Sequence, residues 1–230
     1  MSEIDIYKKR YTFNGDMREA LFAVGDNEEF EVENQPRLAR FLGLKQSDKF
    51  LDLGCGCLRG TAKLIDYLDK GNFHGADVSR GLLDKAEERV KKLKIKRKPT
   101  LWEMHDFNLE KLINEKFDFV MSISLLTHIL PRELDKLFIG VRDILKPKGV
   151  WYFSIYPVEN DLKNHEGNIE ISRYHKNFLK TVGKKVGLVI DEIDGEFDNP
   201  VKSNQYLLKT NTPFCAQWIM KAGLESTNYL

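Results

Sequence analysis

The stretch Leu51-Asp52-Leu53-Gly54-Cys55-Gly56-Cys57-Leu58-Arg59-Gly60 decides the fold. Lys49 to Leu53 is a short apolar run that breaks into glycine, the pattern of a buried strand ending in a tight turn. Gly54 and Gly56 let the backbone turn sharply and let a ligand approach without meeting a side chain. Gly60 permits close packing, and a helix is expected from Arg59 to Leu68. Glycine at a strand–helix turn is by itself only a tight connection, so its meaning depends on the neighbouring sequence.

Outward from this loop, short apolar runs alternate with helical periodicity. Asn72–Asp77 is the next expected strand. Ser79 then stands as an N-cap, with Leu83, Ala86, Val90 and Leu93 at helical spacing. Thr100–His105 and Phe117–Ile123 are further strands. Pro131 opens a helix whose inner face is Leu134, Leu137, Phe138, Val141 and Leu145. Lys146-Pro147-Lys148-Gly149 reads as a turn before the β-prone run Val150–Tyr156. Ser172–Val186 reads as a helix stopped by Gly187. Leu188–Ile193 and Ser203–Lys209 end the series. Strand–helix alternation implies parallel pairing and a doubly wound α/β sheet with helices on both faces. Residues 1–47 precede this domain as a helical cap. Residues 48–210 form the domain, with a polar insert at 157–171 after the fifth strand. Residues 211–230 form a tail that packs on its own core or on a second subunit. Tyr11, Arg18 and Phe22 are candidates for a lid.

Ligands of such sheets bind beyond the carboxyl ends of the strands. Three acids stand there. Asp52 precedes the glycines. Asp77 ends the second strand, where it suits ribose hydroxyls. Asp106 ends the third and is followed by Phe107, a pair suited to an adenine amino group and ring face. A dinucleotide fingerprint would need glycine where this chain has Arg59, and its loop must also seat a pyrophosphate. An adenosyl ligand bearing a sulfonium makes a different demand, with carboxylates welcome near the positive charge.

LDLGCGCLRG at 51–60, GADVS at 75–79, HDFN at 105–108, FDFVMSIS at 117–124 and LKPKGVWYFSIY at 145–156 resemble the successive motifs of class I S-adenosylmethionine (SAM)-dependent methyltransferases. The resemblance covers roughly residues 45–210. It implies a Rossmann-like sheet of about seven strands, mostly parallel with the last antiparallel, and SAM as cofactor with S-adenosylhomocysteine as product. By the same resemblance Gly54, Cys55 and Gly56 line the methionine and ribose portion. Asp77 binds the ribose and Val78 flanks the adenine. Asp106 and Phe107 contact the adenine, and Ser122 and Ile123 approach the methionyl group. The family loop often carries a third glycine where this chain has Leu58. Arg59 is either a solvated residue or a partner for the methionyl carboxylate.

The segment SLLTHI at 124–129, followed by Pro131, resembles one in small-molecule and sugar O-methyltransferases. His128 is the candidate base there, since imidazole titrates near working pH; the alternative is a histidine that only orients the loop. His165, Tyr174 and His175 are candidate substrate contacts. The expected acceptor is a small molecule, such as a sugar or a surface-glycan (capsule) precursor, including a phosphoryl-type group. The alternatives are a protein or RNA methyltransferase of the same fold and a non-catalytic SAM-binding module. The Asn/Asp-Pro-Pro-aromatic run of amino-methylating DNA enzymes is replaced by SISLLTHIL.

Bulk composition narrows the classes. The 230 residues are 42% hydrophobic and carry a net charge of +1, which suits one domain and argues against nucleic acid as the main partner. The basic run KKLKIKRK at 91–98 is read as a solvated helix end. No apolar stretch reaches the length of a membrane span, and the N-terminus does not read as a signal peptide. Three cysteines fit neither a disulfide framework nor a four-ligand zinc site. A cytoplasmic protein without a bound metal is expected.

Overall fold

A computed structural model describes residues 5, 28–105, 107–158, 163–167, 171–193, 206–207 and 217–225. The chain forms two compact units, 1–106 and 107–230. Tyr11, Arg18, Phe22 and Asp106 lie outside the described residues.

In the first unit, helix α1 (Glu28–Phe41) precedes strand β1 (Phe50–Leu53), short helix α2 (Leu64–Tyr67), β2 (Phe73–Asp77), α3 (Arg80–Lys92) and β3 (Thr100–Glu103). The three strands are parallel in the order β3-β2-β1, with Phe50 opposite Phe73 and His74 opposite Thr100. All four residues of β1 are buried, as a strand covered on both faces requires. Ser79 caps α3 as expected, its hydroxyl accepting the Leu82 N–H at 3.3 Å.

Two expectations fail in this unit. The helix expected over Arg59–Leu68 is confined to Leu64–Tyr67, because turns run from Gly56 to Lys63 and Leu58 takes a left-handed φ of +57°. The buried face of α3 is Leu82, Leu83, Ala86 and Arg89, whereas Leu93 is 43% exposed. Arg89 lies inward because its guanidinium meets the Cys57 thiol. The exposed lysines at 91, 92 and 94 follow at the helix end, where cations complement the dipole.

In the second unit, β4 (Phe117–Ser122) leads through a single 3-10 turn, Leu126–His128, to α4 (Pro131–Ile144) and β5 (Leu145–Pro157). Hairpin β6 (His165–Gly167) and β7 (Ser172–Tyr174) follow, then α5 (Lys176–Lys185), β8 (Leu188–Glu192), the short β9 (Tyr206–Leu207) and β10 (Gln217–Leu224). The order is β4-β5-β10-β8: β4 and β5 are parallel, β10 is antiparallel to β5 and β8, and the short β9 pairs with β10 in parallel. The expected turn at Lys146–Gly149 is a bulge within β5, since Leu145 opposes Phe117 while Val150 opposes Phe119. Trp151 and Phe138 pack edge to face at 5.2 Å in the core.

Three expectations change here. The helix expected over Ser172–Val186 begins at Lys176, because Ser172–Tyr174 pairs with both the end of β5 and β6. The insert is thus partly a hairpin. The last strand, expected at Ser203–Lys209, is Gln217–Leu224, and only Tyr206–Leu207 of the earlier segment is a described strand. Residues 217–224 therefore belong to the protein's own sheet. This strand has β5 on one side and β8 on the other.

Gly140 in α4 supplies a test of this packing. Alanine would normally gain about 1 kcal/mol in a helix interior. A β-carbon here would lie 2.6 Å from the Asn108 carbonyl oxygen, and such overpacking costs about 1–3 kcal/mol. Gly140→Ala is expected to lower the melting temperature, and an increase measured by calorimetric unfolding would refute this packing.

Candidate functional site

The glycine loop is built on the end of β2. The N–H groups of Gly54 and Cys55 both donate to the Ala76 carbonyl, at 2.8 and 3.1 Å. Gly54 and Gly56 take φ of +83° and +52°, where glycine is unstrained. Leu58 shares this left-handed geometry without being glycine. The strain is about 1–2 kcal/mol. Complete burial of the leucine side chain is worth about 1.5–3 kcal/mol and offsets it. A β-carbon at Gly60 would fall 2.1 Å from the Gln35 side chain, so Gly60 admits α1 rather than the helix that follows it.

Asp77 ties loop and strand together. One carboxylate oxygen accepts the Gly56 N–H at 2.9 Å and the other accepts the Ser79 N–H at 2.9 Å. Burial raises its pKa, opposed by these bonds and one from the Val78 N–H. A carboxylate has about four acceptor positions, so room remains for ribose hydroxyls. Asp52 lies beneath, 6% exposed, accepting the Thr61 hydroxyl at 2.5 Å. Burial pushes its carboxyl up to about 7, against the Thr61 bond, with the Asp77 charge adding to the rise. Cys55 and Cys57 are buried free thiols. Burial raises both thiol pKa values, and for Cys57 the Arg89 and Arg59 charges oppose it. Val78 is half-buried directly after Asp77, and Arg59 is half-buried at the loop's far end.

This cradle fits an adenosyl ligand. Its glycines present backbone instead of side chains, and its acceptors are carboxylate oxygens. Gly54, Cys55, Gly56, Asp77 and Val78 are the residues of the first unit that would hold SAM.

In the second unit, Ser122 is fully buried and its hydroxyl accepts the Trp151 indole N–H at 2.9 Å. Ile123 and Phe107 are half-buried. His128 ends the 3-10 turn after β4 and is half-buried. His165 stands in β6 with its ring 4.9 Å from that of Tyr174, and burial lowers its pKa against the pull of Glu166. Tyr174 is completely buried, its hydroxyl donating to the Ile129 carbonyl at 2.5 Å. The structure thus engages Tyr174 inside the unit instead of at a substrate surface. His175 caps α5, accepting the Asn177 N–H at 3.2 Å. Among the described residues, no group of His, Cys, Asp or Glu is arranged to hold a metal, and no helix is long and apolar enough to cross a membrane.

Several residues that shape these regions were not singled out from the sequence. Thr61, Ser124, Ser154 and Gln217 make polar bonds across 9 to 93 residues of chain. Only Ser154 carries a sequence signal, as a hydroxyl within the apolar run WYFSIY.

A methyltransferase-domain family model matches residues 50–149. An uncharacterized protein of Methanocaldococcus jannaschii is 34% identical over 83 residues, 35% of this chain and 21% of that protein. The chain therefore covers about a fifth of that relative's length. Among solved structures, magnesium protoporphyrin IX methyltransferase from Synechocystis with bound S-adenosylhomocysteine is similar with a TM-score of 0.60 and 16% identity, over 96% of this chain and 93% of that one. A glycopeptide N-methyltransferase complexed with sinefungin gives a TM-score of 0.61 and 12% identity, over 84% and 94%. The chain has the Rossmann-like fold of these methyltransferases, and residues 50–149 match the methyltransferase-domain model.

Proposed function

We propose that the protein methylates an oxygen of a small polar molecule, a sugar or surface-glycan precursor, with phosphoryl-type groups included in the class. The observation that carries this reading is His128, half-buried on a turn directly after β4. Ligands of parallel sheets gather at such strand ends. SAM, when bound, supplies a methyl group on a sulfonium that needs no further activation. The protein's own task is to align the acceptor, exclude water and remove a proton. A hydroxyl acceptor must lose that proton, and His128 is the group we assign to take it. The insert supports a polar acceptor: its hairpin sets Glu166 opposite Arg173 on β6 and β7, and Tyr174 ties the hairpin to the His128 turn. The buried free thiols Cys55 and Cys57 accord with a reducing cytoplasm.

Calorimetry with SAM, S-adenosylhomocysteine and NAD tests the cofactor. Both adenosyl ligands are expected to bind; binding of NAD alone would overturn the reading. A panel of hydroxyl and amine acceptors then tests the chemistry. His128→Ala is expected to keep SAM affinity while lowering turnover by about ten-fold or more, the loss of a general base. Unchanged turnover would remove His128 from the mechanism.

A further inference from the structure

The turn that carries His128 is fastened at both ends by polar groups from elsewhere in the second unit. Ser124, at its start, has a φ of +62°, a left-handed backbone that a β-carbon disfavours. Its N–H donates to Ser154 Oγ at 2.7 Å, and Gln217 Nε2 donates to Ser124 Oγ at 2.9 Å. Ser154 Oγ donates in turn to Gln217 Oε1 at 2.5 Å. Ser154 and Gln217 are buried, on β5 and β10. Within the turn, the Thr127 hydroxyl donates to the Ser124 carbonyl at 2.7 Å. At the far end, the Tyr174 hydroxyl donates to the Ile129 carbonyl at 2.5 Å.

Buried polar side chains cost stability unless fully bonded, and apolar residues of similar size would serve a core at least as well. These bond to a turn whose first residue holds a left-handed backbone. We infer that Ser154, Gln217 and Tyr174 are positioning residues, a two-point clamp that fixes the direction in which the turn presents His128. The inference rests on the proposed role of His128 for its meaning, though the clamp itself is measurable without an acceptor.

The test uses the full chain with carbon-13-labelled histidine. Among its five histidines, the His128 resonance is assigned by its loss in His128→Asn. A single narrow His128 line is expected in the wild type. Ser154→Ala, Gln217→Leu and Tyr174→Phe are each expected to shift or broaden it, leaving the His74 line, from the first unit, in place. Ser154→Thr, which retains the hydroxyl, is expected to restore it. If a variant disturbs His74 as well, Ser124→Gly decides. That substitution relieves the left-handed strain and keeps the N–H but loses the hydroxyl, so melting should hold while the His128 line still broadens. A His128 line unmoved in the variants that leave His74 in place overturns the clamp. An unchanged turnover in His128→Ala would instead refute the base role and leave the spectral result standing.

Discussion

Asp77→Ala is expected to weaken SAM binding by about 100-fold or more, equivalent to about 2.7 kcal/mol. The carboxylate holds the Gly56 N–H and the Ser79 N–H, each at 2.9 Å, and thereby joins the glycine loop to the entry of α3. Hydrogen bonds to a charged acceptor contribute roughly 1.5–3 kcal/mol each. Alanine removes both and also removes the acceptor proposed for the ribose, so the loop loses its shape and the ligand loses a contact together. Asp77→Glu separates these losses. It keeps the charge, but its longer side chain cannot hold both N–H groups as they stand, so an intermediate affinity is expected. Calorimetric titration of the variants with SAM checks the ranking. An Asp77→Ala protein that binds SAM within about two-fold of the wild type would show that neither the carboxylate nor the loop shape it holds carries SAM affinity.

This part of the molecule was legible because its signals are local. An apolar run broken by glycine, an acid at a strand end, serine before a helix and proline at a first turn each act on the adjacent backbone. The expectations for β1, β2, Ser79 and Pro131 rest on such signals, and the structure agrees. What was missed is non-local. Gln217 through Met220 is buried without alternation, and a short continuous apolar run does not distinguish an inner strand from a buried helix segment. The contact that settles it, β10 between β5 and β8, is made with residues distant in sequence. Leu93 was misplaced for a similar reason. Periodicity put Leu93 inward, but the Cys57 thiol gives the guanidinium a buried partner that no spacing rule anticipates. The turn around His128 shows the same division. Its chemistry-bearing residue stands out in the sequence, whereas Ser124, Ser154 and Gln217 acquire meaning only once β5 and β10 are adjacent.

Asp52 carries the largest expected effect on stability, with a sign opposite to that of an ordinary ion-paired carboxylate. Its carboxyl is pushed up to about 7 by burial. In the unfolded chain it titrates at about 3.9. Between these values the folded protein holds a proton that the unfolded chain has released, so the native state binds more protons and stability falls as pH rises. The slope from one such group is about 1.4 kcal/mol per pH unit, or about 4 kcal/mol across the window as an order of magnitude, and it vanishes above the folded value. Asp77, also raised by burial, adds a contribution of the same sign. Asp52→Asn removes the titrating group yet keeps an oxygen able to accept the Thr61 hydroxyl. The variant is expected to be more stable than the wild type near pH 8, by a margin that shrinks toward zero as pH approaches about 4. Urea unfolding of both proteins across that range isolates the Asp52 share, because every other titrating group is common to the two. A constant difference, or one that grows toward acid, would mean that Asp52 is ionised in the folded protein and that its burial is compensated by more than the Thr61 hydroxyl.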